Sequence, residues 1–493
     1  MSERCYVACD LGAESGRVIL GRLDSGRLAL EEVHRFPNGP TGILGSLRWD
    51  VLRIFDELKT GLKKVGARKV PAASLSVDSW GVDYALFNGR QPLLAAPYHY
   101  RDERADAVFA RVMQSELPVG IFEETGIQFM TFNTLFQFIA EVEANRDLLG
   151  VADQFLNIAD YFHYLFCGVP RAEESLASTT QIYNPRTRAW SAKLIGQFGF
   201  PGRLFPALVP SGTKLGPLLP DIAAETGLAG AEVIATCSHD TGAAVAAVPA
   251  QGGEEWAYLS SGTWSLIGVE LSAPLISDEI RAHNFTNEAG YGGTIRFLKN
   301  IVGLWILQEC RRSWAAAGDD FEYAELNRLA REAMPLRSLI NPSAARFLKP
   351  GRMPEKITAY CEETGQPVPE TPGQFARCIF ESLALVYRWT LDEIENLTGR
   401  TIRTLHIVGG GSQSDLLNQY AASATERTVL AGPVEATAIG NLLIQGIALG
   451  HLESLDALRE TVRASFPAQR FKPLDAALWE AAHARFLHLD LLT

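Results

Sequence analysis

Asp10-Leu11-Gly12-Ala13-Glu14-Ser15 joins an apolar run, Cys5 to Cys9, to a second run from Arg17 to Leu23. The pattern reads as two strands and a tight turn, with Leu28 to Leu30 as a third strand of a meander. Small residues in such a turn let backbone N–H groups crowd one point, which suits an anion. Asp10, closing the first strand, suits a hydrated divalent cation. An ordinary glycine-rich hairpin accounts for the same residues. The pattern returns 250 positions later in Ser260-Ser261-Gly262-Thr263-Trp264-Ser265. Both copies carry a small polar residue two before Gly, a small residue after it and Ser three after it. Both sit between apolar strands. An internal duplication explains this, with one α/β architecture used twice and a division into residues 1–245 and 246–493.

Between the copies lies Ser238-His239-Asp240-Thr241-Gly242-Ala243-Ala244-Val245. Glu232 to Thr236 before it reads as a strand, and Ala244 to Val248 as the start of a buried helix. An acid at such a junction can face a ligand and accept a hydroxyl proton. Ser238 or Asp240 acting as a helix N-cap explains the same pattern.

Further elements follow from spacing. Asp50 caps a helix whose apolar face is Val51, Ile54, Phe55, Leu58, Leu62 and Val65. Ala73 to Val77 is a strand running into Asp78-Ser79-Trp80-Gly81-Val82-Asp83. Val82 to Phe87 is a short strand closed by Asn88-Gly89, a hairpin signal. Helices are expected over 133–149, 160–166 and 173–181, and an amphipathic one from Asn300 to Arg312. Thr371-Pro372 opens a long helix that stops at Gly399. Leu405 to Val408 is a strand entering Gly409-Gly410-Gly411, and a helix opens over Ser412 to Asp415. A glycine-rich turn at a helix start suits a nucleotide. Ser414 breaks the dinucleotide fingerprint, and no G-x-x-x-x-G-K-[ST] is present.

The 493 residues are 47% hydrophobic and 21% charged, with a net charge of −12. Such an acidic chain argues against a nucleic acid or an anionic membrane as partner. No signal peptide and no spanning run is read, so the expected location is the cytoplasm. None of the seven cysteines forms C-x-x-C, which argues against zinc. Cys361 and Cys378 flank a Pro-rich connector and are read either as free thiols or as a pair within reach.

Taken together these residues resemble the FGGY family of carbohydrate kinases, within the actin-like two-domain ATPases of ribonuclease H-like fold. The resemblance is carried by Asp10 to Arg17, Val77 to Tyr84, Gly126 to Phe129, Phe132 to Leu135, Ser238 to Thr241 and Tyr258 to Ser265. It continues through Phe285 to Glu288, Leu298 to Asn300, Leu405 to Gly411 and Ala431 to Ala436. It implies a site in a cleft between two domains, with Asp240 as proton acceptor. Gly81, His239, Asp240, Thr241 and Asn300 would bind a ketose. Ala13, Glu14, Ser15, Gly16, Arg17, Thr263, Gln308 and Gly410 would bind ATP, and Asp10 would hold Mg²⁺ through water. Glu14 departs from the small residue expected there. The implied reaction moves the γ-phosphoryl of ATP to O1 of L-rhamnulose. Another ketose such as L-fuculose is the near alternative. A non-catalytic, actin-like nucleotide switch is the distant one. A sugar-responsive transcription factor would need a DNA-binding segment that this acidic chain does not offer. A monomer is the simplest expectation.

Overall fold

The hairpin around Asp10 forms. In the computed structural model, which describes residues 3–253 and 255–489, β1 (Arg4–Leu11) and β2 (Ser15–Asp24) pair antiparallel, and β3 (Arg27–Pro37) completes the meander. After Arg4, β1 is buried throughout. A strand so apolar needs neighbours on both edges and cover on both faces. Helix α1 (Val51–Gly66) and strand β4 (Ala72–Ser79) supply part of this, with β4 parallel to β1. As expected, Asp50 caps α1 by accepting from the Arg53 N–H, and Val51, Ile54, Leu58, Leu62 and Val65 are its buried face. Strands β5 (Thr213–Pro217) and β6 (Glu232–Ala235) complete the first sheet, in the order β5-β6-β4-β1-β2-β3. Helix α2 (Asp240–Ala246) follows β6.

The second sheet comprises β7 (Trp256–Ser261), β8 (Trp264–Leu271), β9 (Thr286–Ala289), β10 (Ile295–Val302), β11 (Thr404–Val408), β12 (Thr428–Ala431) and β13 (Gln469–Phe471). Its order is β9-β10-β8-β7-β11-β12-β13. Six strands of each sheet correspond, β3-β2-β1-β4-β6-β5 against β10-β8-β7-β11-β12-β13. In both, the hairpin's first strand pairs parallel with the strand on its other side (β1 with β4, β7 with β11). The next pair is parallel (β4 with β6, β11 with β12), and the last is antiparallel (β6 with β5, β12 with β13). The duplication read from six positions is therefore a duplication of topology.

Helices of this half include α3 (Trp305–Ala317), α4 (Pro372–Thr398) and α5 (Asp415–Thr425), followed by α6 (Ala436–Ala448). Helix α4 begins and ends as its sequence predicts. The Thr371 side chain accepts from the Gln374 N–H, and Gly399 closes the helix at φ 69°.

The chain forms two compact units that are not contiguous in sequence. The first holds Met1–Ala247, Glu270–Phe297 and Ala436–Ser465; the second holds Val248–Val269, Leu298–Glu435 and Phe466–Thr493. Within the first unit α6 lies against β1, β4 and α2. Gln445 donates to the Val7 carbonyl at 2.9 Å and accepts from Ser74 at 2.6 Å. A Cβ on Gly440 would stand 1.9 Å from the Ala243 carbonyl oxygen, so only glycine permits this approach.

Three expectations are corrected. Strand Tyr84–Phe87 pairs with Gln154–Asn157 rather than with a segment just after Asn88-Gly89. Asn88 and Gln91 do form a tight turn, but Pro92 then lacks the N–H that a return strand needs. The amphipathic stretch from Asn300 is strand through Val302, and its helix starts at Trp305. The helix expected over 133–149 breaks at Asn145 into Thr134–Ala144 and Arg146–Val151. Among the described residues no helix is long and apolar enough to cross a membrane. All seven cysteines are free and buried. Cys361 and Cys378 do meet, their thiols sharing a hydrogen bond.

Candidate active site

Parallel pairing brings three acids to one edge of the first sheet. Asp10 lies in register with Asp78, and Ser79 bridges to His239, its N–H reaching the Ser238 carbonyl at 2.9 Å. Asp10, Asp78 and Asp240 therefore sit at the ends of neighbouring chain segments, where open α/β sheets place ligands. Asp10 is ion-paired with Arg17, its cross-strand partner. Asp78 is wholly buried. One of its oxygens accepts from Asn441 Nδ2 at 2.6 Å, and the other has no hydrogen-bond donor among the described residues. Burial, and then the Asp10 charge, push its carboxyl well above the usual range.

Asp240 does not cap its helix, and neither does Ser238. The N-cap position is His239, with no side-chain cap bond. Asp240 is the first helical residue; its Oδ1 accepts from the Thr241 N–H at 2.6 Å and the Thr241 hydroxyl at 3.2 Å. Its side chain keeps 32% of its exposure, enough to meet a ligand. Burial nonetheless raises its proton affinity, opposed by the Thr241 N–H and reinforced by Asp10. A carboxylate tuned upward is a better base near neutral pH.

The loop that carries Asp240 is held from behind by a residue the sequence did not single out. Glu173, fully buried, accepts from the Ser238 N–H at 3.0 Å and from Ser175, Leu176 and Ser211. The Ser175 hydroxyl in turn accepts from the His239 N–H at 3.0 Å. The His239 ring is held separately. Arg296 Nη2 lies 3.0 Å from its Nδ1, Glu288 Oε2 lies 3.4 Å from the same atom, and Asp240 Oδ1 lies 3.4 Å from its Nε2. Arg296 is a charge inside an otherwise apolar part of its strand, and a buried charge demands a partner.

Gly81 stands on a braced loop. A Cβ there would meet Thr179 Oγ1 at 2.8 Å. Val82 follows at φ 67°, a strained conformation for a β-branched residue. Its N–H donates to Thr179 Oγ1 at 3.2 Å, and its carbonyl accepts from Thr134 at 2.6 Å. Asp83 locks the far side. It accepts from Trp49 at 2.6 Å, from Trp80 and the Tyr100 N–H at 3.0 Å, and from Gln137 at 3.1 Å. Even so, burial lifts its carboxyl to about 6. The Trp49 and Trp80 rings pack 4.0 Å apart, so Trp80 belongs to this support.

In the Ala13 to Arg17 turn, Glu14 points to solvent, and its carbonyl accepts from the Asn38 N–H at 2.9 Å. Ser15 starts β2, and the Gly12 N–H donates to its carbonyl. Gly12 and Gly16 are not needed for positive φ. A Cβ on Gly16 would meet the Phe36 ring at 2.2 Å, so packing explains that glycine.

The second unit builds its own turn. Gly262 and Thr263 carbonyls accept from the Leu304, Gly303 and Trp305 N–H groups, seating the start of α3 on the β7–β8 hairpin. Gln308, one turn into α3, donates to Thr263 Oγ1 at 3.5 Å. The three glycines after β11 differ. Gly409 takes φ 85°, and a Cβ on Gly411 would lie 2.0 Å from Ser261 Oγ, whereas Gly410 faces open space. Gly410 is thus the one that can be approached by a ligand. Asn300 lies in this unit on β10.

The first unit thus gathers Asp10, Arg17, His239, Asp240 and Thr241; the second gathers Thr263, Gln308 and Gly410 around repeated hairpins. The N-terminal domain of the FGGY family of carbohydrate kinases matches residues 5–247, and its C-terminal domain matches residues 257–449. The rhamnulokinase of Bacteroides thetaiotaomicron is 44% identical over 98% of this chain and 98% of its own length. That of Enterococcus faecalis is 42% identical over 97% of this chain and 96% of its own. The ligand-bound xylulose kinase of Lactobacillus acidophilus shares the fold, with TM-score 0.80, 15% identity and coverage of 99% of this chain and 97% of that one. Matches of this extent to both halves, over a sheet topology that is itself duplicated, place the chain in the FGGY family of carbohydrate kinases.

Proposed function

We propose that this kinase transfers the γ-phosphoryl group of ATP to O1 of L-rhamnulose, giving L-rhamnulose 1-phosphate and ADP. The observation that carries the reading is Asp240: accessible, raised in proton affinity, and held at a strand end by Glu173 and Ser175. The rhamnulokinase relatives supply the choice of sugar. In this reading Gly81, His239, Thr241 and Asn300 bind and orient the ketose, and Asp240 takes the proton of its O1 hydroxyl. Phosphoryl transfer is mainly alignment and charge stabilisation. The N–H groups of Ala13 to Arg17, with Thr263, Gln308 and Gly410, hold the nucleotide. The functional division is 1–245 for the sugar and first hairpin, and 246–493 for the nucleotide and second hairpin.

The residues fit a divalent cation. Asp10 and Asp78 are adjacent in register, and the free oxygen of Asp78 is buried without a donor. Asp10 would hold Mg²⁺ through water; among the described residues no three acidic, His or Cys groups are grouped that could hold a metal ion. When bound, the ion neutralises charge on the phosphates. In this reading the chain works in the cytoplasm with a ketose and ATP as its partners, needing no nucleic acid or membrane.

A ketose panel with ATP tests the sugar. L-rhamnulose is expected to give the highest kcat/KM. L-fructose adds one hydroxyl at the methyl end and is expected to lose about 10², the usual limit of apolar discrimination. L-fuculose inverts C4 and leaves buried polar groups unpaired, so a loss of up to about 10⁴ is expected. L-fuculose outperforming L-rhamnulose sinks the sugar assignment. ATP consumption that no sugar accelerates sinks the phosphotransfer itself.

A further inference from the structure

Arg296 is fully buried on β10 between Ile295 and Phe297. Its Nε donates to the Ala289 carbonyl at 3.1 Å, and its Nη2 bridges Glu288 Oε2 at 3.1 Å and His239 Nδ1 at 3.0 Å. A guanidinium has donors and no acceptor, and it does not lose its proton in a protein. At 3.0 Å, therefore, Nδ1 of His239 must offer its lone pair. A neutral imidazole with a lone pair at Nδ1 carries its hydrogen at Nε2. An imidazolium would set an N–H against the guanidinium.

We infer that Arg296 is a positioning residue that keeps His239 neutral and points its Nε2–H toward Asp240 and the hydroxyl Asp240 deprotonates. This rests on the kinase reading only in assigning that hydroxyl to a ketose. The charged groups facing the ring are Asp240, 3.4 Å from Nε2, and Glu288 and Arg296 on its Nδ1 side. Two carboxylates alone would favour an imidazolium, which would tie up the base in an ion pair. Arg296 cancels Glu288 and occupies the Nδ1 lone pair. His239 is left as a hydrogen-bond donor that orients the substrate oxygen, while the transferred proton goes to Asp240.

Long-range ¹H–¹⁵N spectra of protein labelled at histidine, assigned with His239→Gln, read the tautomer directly. Wild type is expected to show His239 as Nε2–H. In Arg296→Met the ring is expected to gain the Nδ1–H form, because Glu288 Oε2, 3.4 Å from Nδ1, can then accept from it, and kcat to fall about 10². KM for ATP should not follow. Arg296→Lys keeps a charge and a donor, so the Nε2–H form should persist. Its kcat still falls, because one ammonium cannot hold Ala289, Glu288 and His239 together. An imidazolium or Nδ1–H form in wild type overturns the inference. So does an Arg296→Met ring that keeps the Nε2–H form alone, or an Arg296→Lys enzyme with wild-type kcat. The spectra hold whether or not any ketose is phosphorylated, so a failed kinase reading and a failed inference give different results.

Discussion

Asp240 combines access with confinement, and its replacement should separate chemistry from folding. Asp240→Asn keeps an oxygen for the Thr241 N–H but cannot accept a proton. A positioned base contributes about 10² to 10⁴ in rate, so turnover should fall by that factor with the thermal midpoint unchanged. Turnover above about a tenth of wild type contradicts the role. Asp83 makes a different prediction, about pH. Its carboxyl is raised from 3.8 to about 6. Its contribution to stability is therefore complete below the lower value and is lost as pH rises through the upper one. Between about pH 4.5 and about pH 7.5 the unfolding free energy of wild type, relative to Asp83→Asn, should drop by about 2 kcal/mol. A difference flat across that range in denaturant titrations would show that Asp83 ionises normally. At this scale the sequence revealed residues whose chemistry is local. Asp240 sits between His and Thr, and Gly410 sits in a glycine triplet after a strand. Glu173 and Arg296 were not legible as site residues, because the loop residues they hold lie far along the chain. Glu173 meets Ser238 across 65 positions, and Arg296 meets His239 across 57.

Helix α6 shows how one element sets tolerances on its neighbours. At Gly440 an added methyl meets backbone, the Ala243 carbonyl at 1.9 Å, and neither helix can yield locally. At Gly21 it meets the end of the Leu442 side chain at 2.7 Å, which can shift more readily than backbone. Gly440→Ala should cost about 3 kcal/mol or more and Gly21→Ala about 1 kcal/mol, by the usual range for overpacking. Equal losses in chemical denaturation would mean that α6 floats on its support. The elements read well from sequence where caps and periodicity were local, as with α1 behind Asp50 and α4 between Thr371 and Gly399. They read poorly where pairing decided. Asn300 to Val302 has helical spacing but is drawn into a sheet. Tyr84–Phe87 finds its partner at Gln154–Asn157, not across the next turn.

On the scale of the whole molecule, the duplicated topology was visible in two short stretches because each repeats a turn that any copy must keep. The return of Ala436–Ser465 to the first unit was not visible, because its partners lie far along the chain. Asn441 reaches Asp78 across 363 positions, and Gln445 reaches Ser74 across 371. The first unit therefore should not fold from its N-terminal segment alone. A fragment of residues 1–247 leaves Asp78 without Asn441, Ser74 without Gln445, and the α2 surface at Ala243 uncovered. Each buried polar group left unpaired costs about 1 to 3 kcal/mol, against a total stability of about 5 to 15 kcal/mol for a domain. Lost apolar cover from Ile439, Leu442 and Leu443, all buried in the intact chain, adds about 1.5 to 3 kcal/mol each. The sum, about 6.5 to 15 kcal/mol, is as large as the whole stability of a domain. The fragment is expected to show no cooperative thermal transition and no near-ultraviolet circular dichroism, while the full chain shows both. A fragment of 1–247 that unfolds cooperatively with native near-ultraviolet signal would mean that the first sheet and its own helices suffice, and that α6 is an addition to a finished unit.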